Sequence, residues 1–457
     1  MHSAIFLRNR RRLGSLGVLG EIPGFTGGDG SPIFATLSRQ LSPDLAVRRR
    51  EDRVPVGPRP LRVCMIVGYD LSEPGGVKHH AQQLAQALRL RGDQVCVVGP
   101  SSGPVDGPHV VPFKGVWRAV SNGSDNAFGL LVAPWQVWWF FQRHRFDVIH
   151  IHEPLLPSLA YWTVWATPGT PHVATFHAFG ERRSGTLRAA TKLGALALYP
   201  LIQGAVAVSS AAAAYAAGTW SRPISVVPNG VSTQIFSPRP NPPANVLRLL
   251  FVGRLSDERK GIKHLLDGFR AARERGVSVT LDVVGENHGT PNLPVDGVTF
   301  HGRLPLDQLV ERYRSCDVFV APSTGQESFG IVLLEAMACG KALICSDIDG
   351  YRSTAAPEGA RLVPPCSAEA LASAIESLAS DPISVRRMGE FNRARAMGYD
   401  WSRIAGRLRE EYLLAIAHSG KPFEQPLLEP GVIEGSTGPA LTGPRSTDSS
   451  RLVTGGV

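Results

Sequence analysis

Two carboxylates set eight positions apart, Glu327 and Glu335, open the chemical reading of this 457-residue chain. They belong to the stretch Gly325-Gln326-Glu327-Ser328-Phe329-Gly330-Ile331-Val332-Leu333-Leu334-Glu335-Ala336-Met337-Ala338. Glu327 falls in a polar loop, and Glu335 falls about one turn into an apolar helix. Ser328 is the expected cap of that helix, and Gly330 keeps its first turn open. Such a turn presents free backbone N–H groups to an anion. Glu327 then accepts hydrogen bonds from hydroxyls on one side of the anion, and Glu335 from hydroxyls on the other. A nucleotide sugar has that layout: sugar, diphosphate, ribose. Taken alone, the spacing is more often two solvated glutamates on an amphipathic helix, so the surrounding residues must decide.

Cations come from Gly253-Arg254-Leu255-Ser256-Asp257-Glu258-Arg259-Lys260-Gly261, which follows an apolar run. Arg254 as a fork and Lys260 as a point charge suit a diphosphate, and the carboxyl end of a strand is where phosphate sites recur. Pro74-Gly75-Gly76-Val77 follows the first apolar run and opens a helix, so a diphosphate can approach the backbone closely at Gly76. The chain has no G-x-G-x-x-G at this place, which argues against a dinucleotide oxidoreductase. His150, His152 and Glu153 follow another run, and His177 follows Thr175-Phe176. Their spacing fits no common zinc motif, and no cysteine lies nearby in sequence, so no metal is assigned. Strand-end histidines are often just hydrogen-bonded structural residues, but the His177 loop should face a cleft. Asp347-Ile348-Asp349 has the form of a metal clamp. Arg254, Lys260 and a helix N-terminus already neutralise a diphosphate, so a metal is not required.

The elements that must position these residues alternate. Strands are expected at Leu61–Val67, Gln94–Gly99, Asp147–Ile151, His172–Phe176, Ala205–Val208 and Ser225–Val227, with a helix at Val77–Arg91. After residues 229–246 the pattern restarts with a strand at Leu247–Val252, a helix at Ile262–Arg275 and strands at Val279–Val284, Val298–His301, Val318–Ala321 and Ala342–Cys345. Continuous apolar strands separated by helices imply parallel sheets covered on both faces. The fold class is therefore α/β, with two Rossmann-like domains facing a cleft and a hinge at Pro228-Asn229-Gly230. The expected division is 59–228 for the first domain, 229–398 for the second, and 399–418 for a helix crossing back onto the first. Residues 1–58 and 419–457 are expected to be disordered, the former basic. Residues 128–141 and 193–216 are apolar but interrupted, and no membrane-spanning helix is expected.

Hydrophobic residues make up 43% and charged residues 19%, ordinary for a globular enzyme. The net charge is +9. Residues 1–60 carry ten arginines against five acids, and from Lys421 onward three bases meet four acids, leaving about +5 in the middle. That modest excess fits anionic ligands or an anionic membrane surface. It is too weak for nucleic acid, and no aromatic-basic platform or zinc knuckle is present. The six cysteines (64, 96, 316, 339, 345, 366) form no C-x-x-C pair and mostly sit in apolar runs, pointing to a reducing, cytoplasmic setting. Trp135, Trp138, Trp139, Phe140 and Phe141 precede Arg143 and Arg145, and Arg182, Arg183, Arg188 and Lys192 follow His177. These clusters fit an anionic membrane. On a helix, however, Trp135, Trp138 and Trp139 share one face, which is expected to pack on the sheet.

Together, Glu327 to Glu335, the Arg254/Lys260 loop, Pro228-Asn229-Gly230, Gly75-Gly76 and His177 resemble the family 4 retaining glycosyltransferases of the GT-B fold, over residues 61–417. Within that family the likeness is to actinobacterial phosphatidylinositol mannosyltransferases. It is carried by His150-Ile151-His152-Glu153-Pro154, Ala174-Thr175-Phe176-His177, Ser346-Asp347-Ile348-Asp349 and Tyr399-Asp400-Trp401-Ser402. The resemblance implies that Arg254 and Lys260 hold the donor diphosphate, with Gly76 against the phosphates from the other domain. Glu327 touches the transferred sugar, Glu335 the ribose, and Phe329, Gly330 and Ile331 offer backbone N–H groups. Tyr69 and His177 line the acceptor side, where Arg182 and Arg183 follow, and His177 and Glu327 are the implied catalytic pair. Configuration is retained without a clear enzymic nucleophile, and no resident cofactor is implied beyond the nucleotide-sugar substrate. Two departures stand out. The guanine-reading loop reads Arg303-Leu304-Pro305-Leu306-Asp307, where only Asp307 is acidic. The helix before Asp147, basic in that group, is aromatic here.

The expected function is transfer of a hexose, mannose from GDP-mannose, to a lipid-borne acceptor at the membrane surface, by a protein peripheral on the cytoplasmic face. Three alternatives are a UDP-sugar enzyme with a soluble acceptor, a nucleotide-sugar epimerase needing no acceptor, and a non-catalytic membrane-binding protein. The last fits poorly with both glutamates and both cations.

Overall fold

The computed structural model of the chain describes residues 59–420 other than 74, 106, 122–123, 157–158, 180–184, 241–244 and 287–294. The expected extension 1–58 and nearly all of the expected tail lie outside the described residues.

The first sheet contains β1 (Arg62–Val67), β2 (Gln94–Pro100) and β3 (Val110–Phe113). A separate hairpin of β4 (Trp117–Ser121) and β5 (Ser124–Phe128) follows, and the sheet resumes with β6 (Val148–His152), β7 (His172–Phe176), β8 (Gly204–Ala207) and β9 (Ser225–Val226). The strand order is β3-β2-β1-β6-β7-β8-β9. The second sheet has β10 (Leu247–Val252), β11 (Val279–Val284), β12 (Val298–Phe300), β13 (Val318–Ala321), β14 (Ala342–Ser346) and β15 (Ala360–Val363). Its order is β12-β11-β10-β13-β14-β15. Every pairing within the two sheets is parallel, as in Val63↔Val95, Val63↔Val148, Leu249↔Leu281 and Leu249↔Val318. Helices cover both faces, which is why β6, β7 and β14 are buried at every position. In each sheet the order reverses beside its first strand, between β1 and β6 and between β10 and β13. Ligands of doubly wound sheets bind beyond the strands' carboxyl ends at such reversals.

The helices are α1 (Gly76–Leu90), α2 (Pro134–Arg143), α3 (Leu159–Ala166), α4 (Gly185–Leu198) and α5 (Ser210–Ala217) around the first sheet. The second sheet has α6 (Ile262–Glu274), α7 (Leu306–Ser315), α8 (Ile331–Ala338), α9 (Asp349–Arg352), α10 (Ala368–Ala379) and α11 (Pro382–Ala396). Helix α12 (Trp401–His418) starts beside the hinge and packs back on α1 and on β6, β7 and β8. Asp400 caps it through Ser402 N–H and also accepts from Thr233 Oγ1 at 2.5 Å. Its buried face carries Ile404, Leu408 and Tyr412, and Arg409 reaches the buried Asp93 at 3.2 Å. The expected crossing helix is therefore present.

Four features differ from expectation. β3, β15 and the hairpin were not anticipated. β5 is mostly polar, β4 mixes Trp117, Ala119 and Val120 with Arg118 and Ser121, and only Asn122-Gly123 in the sequence signals the turn. The tryptophan face of α2 does not pack on the sheet: Val137, Phe140 and Phe141 do, while Trp135, Trp138 and Trp139 are 66%, 46% and 50% exposed. A 3.6-residue period fixes that two faces differ without fixing which one is buried. Among the described residues no helix is long and apolar enough to cross a membrane, and five of the six cysteines are buried and none is bridged.

Candidate functional site

Beyond β10 the chain makes one short 3₁₀ turn, Glu258–Lys260, which Asp257 organises. The Asp257 carboxylate is buried and accepts from Arg259 Nε at 2.9 Å and Nη2 at 2.6 Å, while Arg254 Nη2 lies 3.8 Å away. The Arg259 hydrogen bond and charge offset the cost of burial and hold this carboxyl below its ordinary range. Gly261 then turns back with φ +72, and a Cβ there would lie 2.0 Å from the Pro322 carbonyl, so only glycine fits. The cation loop is thereby pressed against the loop after β13. Lys260 Nζ lies 2.5 Å from Glu327 Oε1. The expected diphosphate cation and the expected sugar-binding carboxylate thus neutralise one another here. Arg254 is more than half exposed at the rim.

The Glu327 loop is constrained. Gln326 adopts φ +57, a strained value for a residue with a side chain. Ser328 is not the helix cap: its carbonyl accepts from Ser209 Oγ at 2.5 Å, a contact between the two domains. The N-cap of α8 is Gly330 at φ +85, with no side-chain cap. A glycine there sets no side chain over the first turn; the Leu333 N–H donates to the Gly330 carbonyl at 3.0 Å, which leaves the N–H groups of Ile331 and Val332 for the anion reading. Phe329 is buried, and its carbonyl accepts from Thr354 Oγ1 at 2.8 Å. One turn on, Glu335 is half-buried and accepts from Tyr313 O–H at 2.7 Å. Burial pushes its carboxyl up to about 7, and the Tyr313 hydroxyl offsets part of that shift. Asp347-Ile348-Asp349 is no open clamp, since Asp347 and Asp349 both pair with Arg352, at 2.6 and 3.2 Å.

In the first domain Gly75 and Gly76 are exposed at the start of α1, with nothing within 4 Å of where a Cβ would stand. Tyr69 packs against Phe128 of the hairpin, ring centroids 5.3 Å apart and the rings tilted by 43°. Arg182 and Arg183 lie outside the described residues, and nothing is described of the Arg188 side chain. His177 follows β7 and sits in a buried histidine cluster that sequence spacing concealed. Its Nε2 lies 2.9 Å from His152 Nδ1, and nitrogens of His80, His152 and His177 lie within 4.8 Å of one another. Hydrogen bonds account for the cluster: His80 Nδ1 meets Asn229 Oδ1 at 2.7 Å, and His150 bridges Thr175 Oγ1 (2.6 Å) and Tyr412 of α12 (2.8 Å). Burial depresses all four imidazoles, His80 to about 4, His150 to about 3 and His152 and His177 well below 6.5, so they are neutral at neutral pH. His150 is a structural residue. His80, Asn229 and Trp401, which packs on His80 at 5.2 Å, join the cluster to the hinge. Sequence reasoning missed Tyr313, His80 and His152 as partners of site residues, because each acts across separations the sequence does not display, and it missed Asp257 because the inward direction of its carboxylate is set by the turn of its own loop.

Two family models match consecutive stretches of the chain. One described as Glycosyltransferase Family 4 covers residues 74–235, and one described as Glycosyl transferases group 1 covers residues 233–395. A phosphatidyl-myo-inositol mannosyltransferase of Mycobacterium leprae is 33% identical over 383 residues, 80% of this chain and 99% of that protein. Among solved structures, sucrose-phosphate synthase of Thermosynechococcus elongatus matches with a TM-score of 0.61 at 23% identity, over 78% of this chain and 99% of that one. Anabaena HepE in complex with UDP-glucose matches with 0.58 at 18%, over 77% and 98%. At such identities the two structures speak for the fold. Placed beside the two switch-point loops and the Glu327–Glu335 helix, these matches show that the chain belongs to the family 4 glycosyltransferases and has their GT-B fold.

Proposed function

We propose that this enzyme transfers mannose from GDP-mannose to a lipid-borne acceptor such as phosphatidylinositol at a membrane surface. One observation carries the reading: the chain is similar to a phosphatidyl-myo-inositol mannosyltransferase along 99% of that protein. The cleft chemistry is consistent with it. A donor diphosphate exchanges with Glu327 for Lys260, takes Arg254 as a second cation and sits on the first-turn N–H groups of α8. Glu327 is released to the sugar hydroxyls and Glu335 receives the ribose. Charge that develops on the departing diphosphate is stabilised by groups already in place. Gly76 closes from the other domain, and Tyr69, His177, Arg182 and Arg183 serve the acceptor side. The protein itself holds no cofactor in this scheme; the nucleotide sugar is a substrate. The domain division at residues 228/229 follows from the same scheme.

The outer face of the first domain supports a membrane acceptor. Trp135, Trp138, Trp139 and Trp165 are exposed on α2 and α3, and Leu193 and Leu196 on α4, which adjoins α3 where Gly194 meets Tyr161. Arg143 stacks over Trp139 at 4.8 Å. Soluble surfaces rarely gather so much apolar area without a partner, and aromatic rings beside cations suit an anionic headgroup layer. Peripheral attachment on the cytoplasmic face is the corresponding location.

A uridine donor is the second reading, favoured by the shortage of carboxylates in the loop 303–307, which begins with Arg303. Arg303 is tied to Glu286 at 2.9 Å, and Asp307 opens α7 as its one acidic residue in the first turn. The test is to incubate the chain with GDP-mannose and with UDP-glucose, each with and without membrane extract. Extract-dependent release of GDP is expected. Acceptor-free conversion of either donor to a modified nucleotide sugar would mean an epimerase instead.

A further inference from the structure

His177 is held from two sides by one dipeptide. His152 Nδ1 meets the Nε2 of its ring at 2.9 Å. Glu153 Oε1 accepts from the backbone N–H of His177 at 2.5 Å and of Ala178 at 2.6 Å. Glu153 is buried and adopts φ +56 to make this reach, a backbone cost of the kind retained where a site must be fixed. Burial keeps both imidazoles neutral, so a single proton lies between His152 Nδ1 and His177 Nε2. His177 keeps a small exposed fraction, 9%, and its Nδ1 has no hydrogen bond among the described residues. His152 is 1% exposed, and its own Nε2 has no partner among the described residues. It therefore has no contact with the cleft of its own.

We propose that His152 is a positioning residue for His177, engaging Nε2 so that the acceptor meets the Nδ1 edge of the ring. The proposal rests on the acceptor-side reading of His177 given above. It predicts an asymmetry between two amide replacements. The asparagine amide occupies the place of Nδ1, and the glutamine amide the place of Nε2. His177→Asn retains acceptor kcat/KM within about tenfold of wild type, whereas His177→Gln loses on the order of a hundredfold, as expected from removing a buried or transition-state hydrogen bond. The Kd for the donor stays unchanged in both. At the supporting position, His152→Leu lowers acceptor kcat/KM by roughly tenfold or more, while His152→Asn, which keeps an acceptor at the Nδ1 position, restores most of it.

The decisive measurement combines these kinetics with nitrogen-15 NMR of the histidine rings, assigned through His177→Gln. In the expected result the His177 Nε2 resonance moves on His152→Leu and is largely restored in His152→Asn. Full activity in His177→Gln with loss in His177→Asn would show that Nε2 is the working edge and would overturn the proposal. So would a His177 Nε2 signal indifferent to His152→Leu. Should the wild-type chain transfer no sugar to any acceptor, the functional reading falls, and the ring spectra alone still decide whether His152 holds His177.

Discussion

At the scale of single residues, the proposed donor site is a set of charges paired with one another. Lys260 and Glu327 neutralise each other across 2.5 Å, and a diphosphate must take the place of the carboxylate. Removing Lys260 discards a charge-assisted hydrogen bond of about 1.5–3 kcal/mol. Lys260→Ala is therefore expected to weaken nucleotide-diphosphate binding by on the order of tenfold or more, measured by calorimetry with both GDP and UDP. Unchanged affinity for both nucleotides contradicts the assignment. Glu335 gives a pH signature. Its carboxyl is raised to about 7 from an ordinary 4.5. Its contribution to folded stability is therefore full below 4.5 and lost as pH rises through 7. Ribose hydroxyls donate best to the ionised form, so affinity for an intact nucleotide sugar should rise between pH 6 and 8. Glu335→Gln should flatten that rise, and a slope that survives the substitution removes Glu335 from the ribose site. Glu327, Glu335, Arg254 and Lys260 could be proposed from sequence because their spacing is local to loop and helix. Asp257's role was hidden within the same loop, since only the Gly261 turn shows that its carboxylate points inward. Tyr313 lies 22 positions from Glu335, and no periodicity links the two.

At the scale of elements, sequence pattern located the buried parallel strands well. Val279–Val284 and His172–Phe176 are mostly apolar or β-branched, interrupted only by Asp282 and opened by His172, and their bounds match those read from the sequence. Pattern failed where burial is one-sided or absent. The polar β5 strand Ser124–Phe128 carries no apolar alternation, and α2 is amphipathic with its larger aromatics outward. That inversion gives a testable surface. Trp138→Ser with Trp139→Ser should reduce binding to anionic vesicles by tenfold or more in a sedimentation assay. The aromatic part of the binding should persist in high salt, because screening weakens only the contribution of the cations. Both residues are about half exposed, so the melting temperature should barely change. Equal vesicle binding by the double variant would remove α2 from the docking surface.

At the scale of the whole molecule, two parallel sheets turn their switch points to one cleft, and few polar links join them there. Ser209 meets the Ser328 carbonyl, His80 meets Asn229, and α12 returns from the second domain to seat Tyr412 on His150. Division of labour follows from this plan. The second sheet's loops carry Lys260, Arg254 and Glu327, the proposed donor-side residues, with Glu335 on α8, while His177 follows β7 of the first sheet and the outward aromatic face lies on α2 and α3. The arrangement makes sense if a soluble donor meets an acceptor that stays in a membrane. The most direct measurement uses the purified chain, GDP-mannose labelled in the sugar, and vesicles containing phosphatidylinositol, followed by solvent extraction. The account predicts label in the lipid phase, dependent on phosphatidylinositol and lost in Lys260→Ala. Label that remains wholly in the aqueous phase, with a UDP-sugar consumed instead and a water-soluble product formed, would contradict it.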